Sequence, residues 1–251
     1  MSILVVQLAP AGLLFAADRN ITERLTRNPG ATQTVVTGQS ERPKVLKWPN
    51  HEVIVGYVGH AELEGRPADE WLYTFIGRHL QFANLQELAD ALTSDLNALF
   101  PTFRDDPMIL HLGGFEMEHG QWKPRIFYIR NTLDVNHTMG AQFDCSDEII
   151  KPGYFGSKLG NQIRTEVAWP NYFSFRQGIM LELFNTIDAA LRQATGALII
   201  AGVMHVPKTL DELVDHMKFQ IHGYAADFAS FYPAFEQYVG GGAEVVTAKW
   251  P

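Results

Sequence analysis

The chain has 251 residues, with 20 Lys and Arg against 28 Asp and Glu, for a formal charge of −8. Hydrophobic residues make up 46% and charged residues 19%, so a sizeable core can form without a disulfide or metal staple. The acidic balance, with no Lys/Arg cluster, excludes a nucleic-acid binder, and no apolar run nears the roughly 18 residues of a membrane span.

Ser2 to Leu8 is a β-branched apolar run, the pattern of a strand buried on both faces. Pro10-Ala11-Gly12 signals a turn into a second run, Leu13 to Ala17, which ends at Asp18. Arg19 to Pro43 is polar, with Gln33 to Thr37 as a possible edge strand. Lys44 to Trp48 and Glu52 to Val58 form another strand pair, closed by Gly59.

Two helices follow. One spans Arg66 to Leu80 with Pro67 in its first turn. The other is capped by Asn84, and its Leu85, Leu88, Leu92, Leu96 and Leu99 share one face. Met108 to Leu112 and Arg125 to Arg130 are expected as strands around a Gly113-Gly114 bend and a polar hairpin, with Thr138 to Phe143 as a further strand. A third helical region is expected near Ser157 to Glu166, and a fourth is capped by Ser174 and runs through Ile179, Leu183, Ile187 and Leu191. Leu198 to Val206 has the composition of a buried strand. Thr209 and Glu212 form a capping box for a last helix with Leu210, Leu213, Val214, Met217 and Ile221 inward. From Gly223 the tail is aromatic-rich and ends in an expected strand, Ala243 to Ala248.

No repeat or flexible linker interrupts this order, so a single domain over 1–251 is expected. Runs of strands followed by pairs of helices imply an α+β fold with helices packed on antiparallel sheets.

Cys145 stands alone, which excludes an internal disulfide and any Cys-based zinc cage; a lone, partly buried Cys is a core residue before it is a nucleophile. His205, His216 and His222 are the nearest histidine set, but their spacing does not form a metal motif. Gly153 to Gly160 lacks the Gly-Lys-Ser/Thr ending of a phosphate loop. The N-terminus has no basic n-region, so a cytoplasmic protein is expected.

Ser2 carries the chemistry of most interest. Removal of Met1 would leave it a free α-amine, and such an amine, with a pKa near ~8, can act as base for its own hydroxyl. Ser2-Ile3-Leu4-Val5-Val6, the segment Gly12 to Arg19 with its Ala-Ala-Asp-Arg ending, and Lys44-Val45-Leu46 resemble the start of proteasome β-type subunits, members of the N-terminal-nucleophile hydrolases. Ile109 to Phe115, the hairpin into Tyr128, and Gly153-Tyr154-Phe155-Gly156-Ser157 continue the likeness, which covers roughly residues 2–220.

The resemblance implies a four-layer αββα sandwich and amide or peptide hydrolysis without metal or organic cofactor. Ser2 would be the nucleophile, Asp18 and Lys44 the polarising pair, Gly59 an oxyanion donor and Ser157 a supporting hydroxyl. It also implies self-association into a ring or other homo-oligomer, with an ATPase or a peptide substrate as partner. Three departures stand out: Ser replaces the family's Thr, Arg192 occupies the family's second acidic position, and a longer segment before Lys44 makes Lys47 a rival. Taken singly, Asp18-Arg19 is also a hairpin-end charge pair and Lys44 a strand-end lysine. The alternatives are an inactive ring or scaffold subunit and a small-molecule binder on the same scaffold.

Overall fold

The computed structural model describes residues 3–9, 11–24, 36–99, 101, 106–133, 139–147, 173–178, 193–205, 207–231 and 241–251. The first two strands are β1 (Ile3–Ala9) and β2 (Gly12–Asp18), an antiparallel hairpin in which Leu4 pairs with Ala17. They are followed by β3 (Asn20–Arg24), β4 (Val36–Glu41), β5 (Val45–Lys47) and β6 (Val53–Gly59). The short pair β7 (Glu62–Leu63) and β8 (Arg66–Pro67) leads into helices α1 (Ala68–Arg78) and α2 (Leu85–Leu99). Then come β9 (Met108–Glu118), β10 (Gln121–Thr132), β11 (Met139–Asp147) and β12 (Phe173–Gly178). A helical segment, α3 (193–200), precedes α4 (Leu210–Phe231) and the last strand, β13 (Ala243–Lys249).

Two larger sheets organise these elements. One has the order β12-β1-β2-β13 and the other β11-β10-β9-β6-β5, with every neighbouring pair antiparallel. Strand alternation explains their packing, because successive side chains leave opposite faces. In β1, Leu4 and Val6 pack toward β5, β6, β9 and β10, whereas Ile3 and Val5 pack toward Leu213, Met217, Ile221 and Tyr224 of α4. In β9, Ile109 joins the cluster shared with β1 and β2, and Leu110 and Leu112 meet α1 and α2. Each fully buried Leu on these faces contributes about 1.5–3 kcal/mol.

The helix ends follow their sequence signals. Asn84 Oδ1 accepts the Glu87 amide at 2.8 Å, which caps α2. Thr209 Oγ1 accepts the Glu212 amide at 3.2 Å while Glu212 Oε2 accepts the Thr209 amide at 3.1 Å, the reciprocal box expected for α4.

Several expectations are corrected. Gly113 and Gly114 lie inside β9 rather than at a bend. A Cβ on Gly113 would come within 2.8 Å of Leu13, and one on Gly114 within 2.8 Å of the Glu52 carbonyl, so the glycines permit close approach on both sheet faces. Ser174 does not cap a helix: it lies in β12, opposite Gln7 of β1. Leu198 to Val206 is not a buried strand, since residues through 200 are helical and Ile200 is 89% exposed. The last helix continues past Gly223 to Phe231. The expected helix near Ser157 and the run Ile179 to Leu191 lie outside the described residues.

Candidate active site

Asp18 is the last residue of β2, and its side chain is fully buried. Its Oδ1 accepts the backbone N–H of Ile3 at 2.7 Å, where β1 begins. Its Oδ2 lies 2.9 Å from Lys44 Nζ. Lys44 is 1% exposed and also donates from Nζ to the Asn20 carbonyl, so two of its three ammonium protons have partners, one at the end of β2 and one at the start of β3. Burial pushes the Lys44 ammonium below the usual lysine range, and the Asp18 carboxylate opposes that shift. A charge this deep is tolerated only because it is paired and hydrogen-bonded.

Lys47, the rival lysine, is excluded from this pair. Its side chain is 37% exposed, 2.9 Å from Glu52, and also donates to the Thr247 carbonyl. Strand alternation separates the two roles, because Lys44 precedes β5 with its side chain inward whereas Lys47 ends the strand facing solvent.

Gly59 lies at the same end of the five-stranded sheet. The Tyr57 amide donates to the Lys44 carbonyl at 3.0 Å, and Gly59 follows two residues later. Gly59 has φ +97°, and a Cβ there would lie 2.1 Å from the Pro107 carbonyl oxygen, so backbone packing alone demands glycine. Asn131 braces the facing segment: its Oδ1 accepts the Met108 amide and its Nδ2 donates to the Asp106 carbonyl, both at 2.8 Å. Ser2, Ser157 and Arg192 lie outside the described residues.

One residue at the site was not anticipated. Glu244, from β13, accepts the backbone N–H groups of Lys44 at 3.0 Å and Val45 at 3.3 Å on a single oxygen, Oε2. Burial raises its carboxyl above the usual range. The sequence signal is faint: one carboxylate between Ala243 and Val245, meaningful only once β13 is seen to pair with β2. Arg42 adds a further tie, donating from Nε to Asp69 Oδ1 at 2.8 Å and from its backbone N–H to the Arg19 carbonyl at 3.0 Å.

The competing sites do not gain support. Among the described residues no group of His, Cys, Asp and Glu is arranged to hold a metal, and His205 instead contacts Glu212 at 3.1 Å. Burial pushes the Cys145 thiol up to about 12, away from a reactive thiolate. Among the described residues no helix is long and apolar enough to cross a membrane.

No known family model matches the chain, and no curated protein does. The solved structures similar to it include two that align over nearly its whole length. One is Anbu (ancestral beta-subunit) from Yersinia bercovieri, at 15% identity and a TM-score of 0.47, covering 98% of this chain and 81% of that one. The other is an Anbu (Gly-1) mutant from Hyphomicrobium sp. strain MC1, at 14% identity and a TM-score of 0.49, covering 99% of this chain and 82% of that one.

Proposed function

We propose that this chain is an N-terminal-nucleophile hydrolase that cleaves amide or peptide bonds through Ser2 after loss of Met1. The observation that carries this reading is the buried Lys44–Asp18 pair, whose other carboxylate oxygen holds the Ile3 amide. That amide nitrogen is bonded directly to the Ser2 carbonyl carbon, so the pair sits one residue from the proposed nucleophile. The fold belonging to this reading is a single four-layer αββα domain, self-associating into a ring or other homo-oligomer in the cytoplasm.

In the proposed reaction, Ser2 Oγ attacks the substrate carbonyl carbon and its proton passes to the Ser2 α-amine. The Lys44 ammonium, with one N–H left over from Asp18 and Asn20, lowers the pKa of both nucleophile and base. The Gly59 N–H stabilises the tetrahedral oxyanion, and Ser157 assists as a hydroxyl donor. Collapse breaks the C–N bond, and the leaving amine takes the proton. Water, deprotonated by the α-amine, then cleaves the Ser2 ester, which releases the acid and restores the hydroxyl. Intact mass tests the first requirement, as the purified protein should lack Met1. A β-lactone should form a covalent adduct on Ser2, and full activity in Ser2→Ala would refute the proposal.

A second reading has its own support. The Asp18–Lys44 pair is wholly buried and joins β2, β3 and β5, as a purely structural lock would. An inactive ring or scaffold subunit then follows, and retention of Met1 in the intact mass selects it.

A further inference from the structure

Residues 243–249 close the gap between the two large sheets by bonds that leave the ladder. Glu244 Oε2 accepts the amides of Lys44 and Val45; five residues on, the Lys249 amide donates to Glu52 Oε2 at 2.6 Å, and Lys47 Nζ reaches the Thr247 carbonyl at 2.9 Å. The second and third of these ties are exposed. The first is not, and it acts on the backbone of the residue that carries the buried ammonium.

Two further facts separate Glu244 from an ordinary strap. In register it faces Ala17, the neighbour of Asp18, so its carboxylate approaches the ion pair from the opposite side of β2 to β1. It also belongs to a cluster of charges, in which the acids Asp18, Asp69, Glu70 and Glu244 are set against the cations Arg19, Arg42 and Lys44, with the buried Tyr57 hydroxyl among them. Within that set Glu244 favours the charged form of Lys44 at a site where burial opposes it.

We infer that Glu244 is a positioning residue for the proposed hydrolase, fixing the Lys44 backbone and sustaining the Lys44 charge. The inference rests on Ser2 chemistry for its catalytic meaning, but its electrostatic part can be measured without turnover. Glu244→Gln keeps an oxygen for the two amides and removes only the charge. In lysine-labelled protein, with Lys44 assigned by its loss in Lys44→Arg, the Lys44 13Cε titration should move to lower pH in Glu244→Gln. The alkaline limb of the pH profile for β-lactone acylation of Ser2 should move the same way.

An unmoved Lys44 titration with superimposable acylation profiles overturns the inference and leaves the hydrolase intact. A shifted titration with no adduct on Ser2 in either protein removes the hydrolase and retains the coupling. Should Glu244→Gln fail to fold, the wild type still decides: Lys44 13Cε must show an inflection at the pH where Glu244 13Cδ titrates. Its absence sinks the proposal.

Discussion

Asp18 holds Ile3 at the mouth of the first strand, with one carboxylate oxygen 2.7 Å from the Ile3 backbone nitrogen while the other faces Lys44. This single side chain fixes both the first described residue of the chain and a cation 26 residues downstream of it. Both bonds are buried, so neither is open to competition from bulk water.

The first consequence concerns stability. Asp18→Ala strands the Lys44 ammonium in the interior and is expected to cost about 3–5 kcal/mol. Lys47→Met removes a partly exposed ion pair and should cost no more than about 1 kcal/mol. Urea denaturation of the two variants checks the contrast, and equal losses would contradict the assignment of Lys44 as the buried partner.

Gly59 and Gly77 make a second pair. Gly59→Ala combines positive-φ strain with a clash against the Pro107 carbonyl, and should destabilise by more than about 2 kcal/mol. Gly77 is exposed near the end of α1, and a Cβ there meets nothing within 4 Å. Gly77→Ala should therefore be neutral or stabilise by up to about 1 kcal/mol, measured as a shift in thermal midpoint.

Cys145 should be slow to react. With its thiol held up to about 12, almost no thiolate exists at pH 8, so Ellman's reagent should label native protein slowly and urea-unfolded protein rapidly. Comparable rates in the two states would show that the thiol is accessible in the fold.

Glu212 links pH to the start of α4. Two backbone amides, from Lys208 and Thr209, hold its carboxylate down to about 2, assisted by His205. A depressed carboxylate adds stability that is fully present above its unfolded pKa, near ~4.3, and is lost as pH falls through the folded value. Wild type should accordingly melt above Glu212→Gln at pH 7, and the difference should shrink below about pH 4 and vanish near pH 2. A constant difference across that range would mean the charge plays no part.

The sequence was most informative where structure is local. The β1–β2 hairpin, the Asn84 cap and the Thr209–Glu212 box are each specified by residues a few positions apart, and each forms as expected. The failures share a non-local cause. Ser174 has a capping side chain, but its segment pairs with β1 about 170 residues away, and that ladder overrides the local preference. Leu198 to Val206 is mostly apolar without strand alternation, and composition alone suggested a buried strand where the chain is helical through residue 200 and Ile200 and Val203 are exposed. At the site, Asp18 and Lys44 were singled out by the resemblance to proteasome β-type subunits, whereas the choice over Lys47 needed the direction in which each side chain points. Glu244 was illegible because its meaning depends on a partner 200 residues earlier.

That separation has a cost in time. Synthesis proceeds at about 5–20 residues per second, so some 10–40 s must pass between the ribosome's reading of the Lys44 codon and that of the Glu244 codon. Until then the lysine amide has no carboxylate to receive it, and the nascent chain emerges with the margin of one sheet open. Closure of this tie is therefore a late event in the protein's birth, and an interrupted message would yield a hairpin without its clasp.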